Sequence, residues 1–66
     1  MSVAKVVEIS ATSPESFEDA IRQAIAKANE TLRGIQSAWV KEQIAHVENG
    51  SVTEFQVNVQ ITFVLE

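Results

Sequence analysis

The sequence predicts an α+β domain in the order strand, helix, strand, strand, with a three-stranded antiparallel sheet ordered 1-3-2 and the helix on one face. Three observations predict it. Apolar residues recur at spacings of three and four from Phe17 to Leu32, the stripe of one amphipathic helix. Asn49-Gly50 is the strongest short hairpin signal, because both central residues of a type I′ turn need positive φ. The segments flanking that turn alternate apolar with polar, as half-buried strands do.

Ser2 to Ser10 forms the first strand, rich in valine and isoleucine and partly apolar on both faces. The helix follows. Ser13 is placed to cap it with Pro14 in the first position, and Thr12 with Glu15 makes an overlapping capping box. Phe17, Ala20, Ile21, Ala24, Ile25, Ala28 and Leu32 share its apolar face, while Glu18 and Arg22 pair toward solvent. Arg33 suits the helix C-terminus and Gly34 supplies a left-handed stop.

With Asn49-Gly50 as the loop, Glu48 faces Ser51 and pairing runs back one for one. Ile44 then meets Phe55, Val40 meets Val59 and Ala38 meets Ile61, sharing a face with Val57, Phe63 and Leu65. The opposite face carries Ser37, Trp39, Lys41 and Gln43 from one strand and Gln56, Asn58, Gln60 and Thr62 from the other. Glu42 lands among the apolar set, which a bulge or a place at the sheet's open end would relieve. A helical crossover sets the first two strands parallel. The third is the most regular and goes in the middle.

The 66 residues make one domain, 1–66. A chain this short buries only about 60% of its unfolded surface. It has no cysteine to staple it, yet it is 45% hydrophobic, so self-association is expected. A net charge of −4 argues against a nucleic-acid partner. MSVAKVVEIS lacks the apolar run of a signal peptide, and no segment approaches a membrane span, so the expected location is the cytoplasm with no membrane partner. No triad spacing or nucleophile elbow is present, and both glycines are taken by turns, which leaves no phosphate loop. An enzyme is not expected. His46 has no second histidine or cysteine for a metal site and reads as a surface or interface residue.

One helix covers only one sheet face. The other is left with Trp39 and a row of amides, margined by Val47, Val52 and Val64. An uncovered indole belongs at a subunit contact or against a flat ligand whose polar rim the amides bind. Both arrangements require an oligomer.

At this point the residues resemble a known family. TSPESFEDAI opening the helix, ANETLRGI closing it and the last strand FQVNVQITFVLE are similar to the dodecins, and the likeness covers nearly the whole chain. The resemblance implies the same strand-helix-strand-strand fold and a hollow homododecamer of cubic symmetry. It also implies flavins held at subunit contacts, each stacked on a tryptophan of the second strand and hydrogen-bonded by a glutamine of the third. The implied role is flavin storage or scavenging without turnover. The glutamine corresponds to Gln56. The stacking position, aligned through Thr31-Leu32-Arg33, falls on Ser37, with Trp39 two residues further along. Two residues keep a side chain on the same face but move it about 6.6 Å along the strand. This departure resembles a dodecin subgroup that lacks the usual tryptophan and includes calcium-binding members.

The expectation is therefore a homododecamer sequestering FMN or riboflavin between Trp39 and Gln56, with Ser37, Gln43, Asn58 and Gln60 assisting. The alternative is a shell without flavin that binds calcium or magnesium at symmetry axes, or a purely structural shell. For the cation, the resemblance points to Glu15, which otherwise reads as an acid favoured by the helix dipole.

Overall fold

The computed structural model describes residues 3–65, so Ser2 of the expected first strand lies outside the described residues. The element order is β1 (Ala4–Ser13), α1 (Phe17–Ala28), β2 (Ile35–Glu48) and β3 (Ser51–Val64). The sheet runs β1-β3-β2 with both pairings antiparallel, so the expected topology stands.

β1 continues three residues past Ser10 because each finds a partner, ending at Ser13↔Phe55. Ser13 is thus a sheet residue and not the helix cap. Its buried hydroxyl donates to Asp19 Oδ2 at 2.6 Å and accepts from the Glu15 N–H at 3.0 Å. The cap is Ser16, whose Oγ accepts from the Asp19 N–H at 2.9 Å. Hydrogen bonds from Ser13 and Gln23 hold the Asp19 carboxyl below its ordinary pKa.

The helix also ends earlier than its apolar stripe suggests, at Ala28 with Asn29 as C-cap. Leu32 stays against the core through a turn in which its N–H reaches the Ala28 carbonyl at 2.9 Å. Gly34 has φ +75°, but its role is to admit β2 to the sheet. Its carbonyl accepts from the Val64 N–H at 3.1 Å, and a Cβ there would stand 3.3 Å from the Val64 oxygen.

The core lies between α1 and β3. Ala20, Ala24 and Ala28 recur every four residues, and their small side chains let the helix settle onto Val57, Val59 and Ile61, all fully buried. Phe17 closes one end of the layer edge-on against Phe55, ring centroids 5.0 Å apart. A 12-residue helix spans about 18 Å, whereas a 14-residue strand spans about 46 Å. The hairpin consequently outruns its cover. The molecule measures 51 × 19 × 13 Å, with a radius of gyration of 13.5 Å. A compact chain of this length would have about 11 Å. No residue of β2 is buried, and Val47 and Val52 stand exposed near the turn.

Asn49 and Gly50 both have positive φ, and Glu48 faces Ser51 as expected. The ladder beyond them is interrupted three times. Thr53 is an extra residue in β3, while Lys41 and Gln36 are extra residues in β2. The first interruption shifts the pairing by one and the second restores it. Val40↔Val59 and Ala38↔Ile61 therefore pair as expected, but Ile44 meets Gln56 in place of Phe55, whose partner is Ala45. Between Lys41 and Thr53 every β2 side chain is on the face opposite to the one expected.

Candidate functional site

The face of the sheet away from α1 is built in rungs across β1, β3 and β2. Val6, Thr62 and Ser37 form one rung, then Glu8, Gln60 and Trp39, then Ser10, Asn58 and Glu42, then Thr12, Gln56 and Ile44. Cross-strand partners share a face. Trp39 is 62% exposed here, with Val6 and Ile44 also exposed.

The polar side chains between these apolar ones are joined to one another. Gln56 Nε2 donates to Ser10 Oγ and to Asn58 Oδ1, each at 3.1 Å, while its Oε1 lies 2.6 Å from His46 Nε2. Asn58 Nδ2 donates to Glu42 Oε1 at 2.7 Å. Nearer the indole, Glu8 Oε1 accepts from Gln60 Nε2 at 3.2 Å and from Lys41 Nζ at 3.3 Å. These contacts, first the Gln60 amide and then the Lys41 ammonium, depress the Glu8 pKa below its ordinary value.

Of the residues singled out in the sequence, Trp39, Ser37, Gln56, Asn58 and Gln60 are on this face. Gln43 is not. The register sets it opposite Val57, a fully buried residue beneath the helix, so it belongs to the other side of the sheet. Its place is taken by Glu42 and Ile44, because Lys41 absorbs one step of the alternation. Glu42, the residue that fitted poorly on the apolar side, was the visible sign of that bulge. Glu15 is exposed in the turn before α1, with its N–H held by Ser13. No group of three His, Cys, Asp or Glu side chains gathers among the described residues.

Four participants were missed in the sequence: Glu8, Ser10, Glu42 and His46. Glu8 and Ser10 are legible in hindsight from the Val6, Glu8, Ser10, Thr12 alternation of β1. His46 had no such signal, since its face depends on the Thr53 and Lys41 irregularities. A separate open groove of about 840 Å³ lies between α1 and β1, lined partly by Ile9, Ala11, Ala24 and Ala28, on the helix side and away from Trp39.

This arrangement can stack a flat ring on the indole and hydrogen-bond its edge through amides, and no nucleophile with a paired base is assembled on it. A family profile described as dodecin matches residues 3–66. A dodecin of Thermus thermophilus is 41% identical over 64 residues, covering 97% of this chain and 93% of that protein. A calcium dodecin of Mycobacterium tuberculosis is 33% identical over 63 residues, covering 96% and 89%. Among solved structures, a T. thermophilus dodecin variant aligns with a TM-score of 0.93 at 39% identity, covering 100% of this chain and 98% of that one. The structure of the M. tuberculosis calcium dodecin, described as calcium chelating with a novel calcium-binding site, gives 0.85 at 31% identity, covering 98% and 93%.

Proposed function

The chain belongs to the dodecin family, and from that premise we propose that it is a binding and storage protein that sequesters a flavin, FMN or riboflavin, between subunits of a homododecamer. The observation that carries this reading is the 62% exposed Trp39 standing among hydrogen-bonding amides on a sheet face that none of the described residues covers. A solitary chain would leave Val6, Trp39 and Ile44 in water on one face. It would also keep an extended shape that its own small core does little to stabilise.

The spacing of the site residues favours a pocket shared between copies. Gln60 is directly opposite Trp39, but Gln56 is four residues further along β3, about 13 Å away. One ring system stacked on the indole is better served by the Gln56 amide of a second copy than by that of its own. In this reading Trp39 supplies the stacking surface, and Gln56, Asn58 and Gln60 recognise the ring edge. Ser37, one rung beyond the indole, borders the pocket. Gln43 is left out because it faces the helix side.

Riboflavin titration followed by flavin fluorescence tests the reading. Quenching that saturates, in a particle of twelve chains by light scattering, is the expected result. Unchanged fluorescence at micromolar protein, or a mass of one chain, overturns it. The cation reading draws on the 33% identity to a calcium dodecin. Since no group of three His, Cys, Asp or Glu side chains gathers at Glu15 among the described residues, such a site would draw carboxylates from several copies. Its mark would be a melting temperature that rises with added calcium and falls with chelator in Glu15-containing but not Glu15→Gln protein.

A further inference from the structure

We infer that Glu42 sets the direction of the hydrogen-bond relay Glu42–Asn58–Gln56–His46 and thereby makes Gln56 an acceptor, not a donor, toward whatever occupies the sheet face. An ionised carboxylate only accepts, so the group that Asn58 turns to Glu42 at 2.7 Å is its NH₂. The Asn58 carbonyl is then left for Gln56, which must answer with its own NH₂ at 3.1 Å. That fixes the Gln56 carbonyl toward His46, 2.6 Å away, and a carbonyl there requires the proton on His46 Nε2.

The relay also exhausts the donors of Gln56. One hydrogen of its NH₂ goes to Asn58 and the other to Ser10 Oγ at 3.1 Å. What remains is the second lone pair of Oε1. A ligand meeting Gln56 must therefore present an N–H or O–H. An amide is ambivalent by itself, but two side chains away a charge has decided which end it shows. Glu42 is brought to this position by the extra residue Lys41, so the bulge acts on selectivity as well as on strand shape.

Glu42 is accordingly a positioning residue. Its replacement changes the relay without removing any group that touches the ligand. Glu42→Lys presents only donors, so every amide should turn over, leaving His46 Nε2 to accept and the proton on Nδ1. Glu42→Gln can both give and accept, which permits both directions. A purely structural role for Glu42 moves no proton on His46.

The consequence for the ligand rests on the flavin reading above, whereas the relay itself does not, and the experiment separates them. Imidazole ¹⁵N spectra of the assembled, ligand-free protein are recorded at about pH 8.5, roughly two units above the ordinary histidine pKa. The native protein should show the Nε2–H tautomer alone, Glu42→Lys the Nδ1–H tautomer, and Glu42→Gln a mixture. An Nδ1–H tautomer in the native protein, or the same tautomer in Glu42→Lys as in the native protein, overturns the relay.

Titrations with riboflavin and N3-methylriboflavin, which lacks the ring-edge N–H, then test the acceptor. The native protein should prefer riboflavin by about tenfold or more, as expected when a buried acceptor is left unpaired. In Glu42→Lys the preference should shrink to about threefold or less. Equal affinities in the native protein overturn the acceptor assignment. Quenching by neither flavin removes the flavin reading and leaves the imidazole spectra to decide the relay.

Discussion

Alternate residues of β3 do different work. Val57, Val59 and Ile61 are fully buried under the helix, while Gln56, Asn58 and Gln60, one step away each, are tied into the polar network of the bare face. The two sets share a backbone, so the period of two gives one strand both a core face and the face proposed to bind. The apolar set anchors β3 beneath the helix, and that anchoring holds the amides at fixed intervals. Sites on scaffold strands are more precisely placed than sites on loops.

The sharpest way to break the comparison is to mutate one residue from each set. Ile61→Ala should cost about 2–5 kcal/mol of stability through the cavity it leaves, enough to unfold much of a protein with so small a core. Gln60→Ala, its neighbour, should change stability by about 1 kcal/mol or less while weakening flavin quenching. Urea denaturation at fixed protein concentration measures both, since the proposed assembly would make stability concentration-dependent. Equal losses from the two changes would mean that the bare face is part of the folding core after all.

Trp39→Ala comes next. Removing a stacking partner typically costs about 1–3 kcal/mol per ring, so flavin affinity should fall about tenfold or more with the far-UV circular dichroism unchanged. Retained affinity would move the stacking surface away from this indole and leave the bare face without its main apolar contact.

Acid sharpens the contrast more gently. Glu8 on the bare face and Asp19 at the helix start both have depressed carboxyl pKa values. A carboxyl whose folded pKa lies below its unfolded one stabilises the fold above the unfolded value. That contribution is lost as pH falls through the folded value. The melting temperature should therefore drop below about pH 4, a range below the ordinary carboxyl values. Glu8→Gln and Asp19→Asn should each flatten part of that descent. Asp19→Asn should act on the monomeric fold, because Asp19 accepts from the buried Ser13 hydroxyl. The smallest effect belongs to Glu18→Gln, which breaks an ion pair whose side chains are 70% and 75% exposed and should leave the melting temperature unmoved.

Much of this contrast was legible in the sequence. The 3.6-residue stripe, the Asn49-Gly50 turn and the alternation of β3 lead to the topology, the sheet order and the face of Trp39. What was not legible traces to two kinds of local competition. Ser13 and Ser16 are both chemically able to cap α1, and the choice went to Ser16 because Ser13 pairs with Phe55 in the sheet. The bulges have no residue signature of their own. Thr53 and Lys41 are ordinary strand residues, and only the misplaced charge of Glu42 hinted that the count was off by one. Between those bulges the expected faces are inverted, which cost the site Gln43 and hid His46. Dodecin membership was legible too, whereas the ligand was not, since the proposed pocket is formed by facing copies and no single chain displays it.

The sheet order carries a further implication for biogenesis. The middle strand is the last of the three to be made, and Ala4 must find Val64 across nearly the whole chain. Neither outer strand has a neighbour to bond until that final segment emerges, so the nascent polypeptide can hold its helix but no sheet while translation proceeds. The β2–β3 hairpin can then close locally from Asn49-Gly50, whereas β1 joins only through a distant encounter, which slows its addition. Throughout that interval the valine-rich first strand is unpaired, and its open edge is a template for another chain's strand.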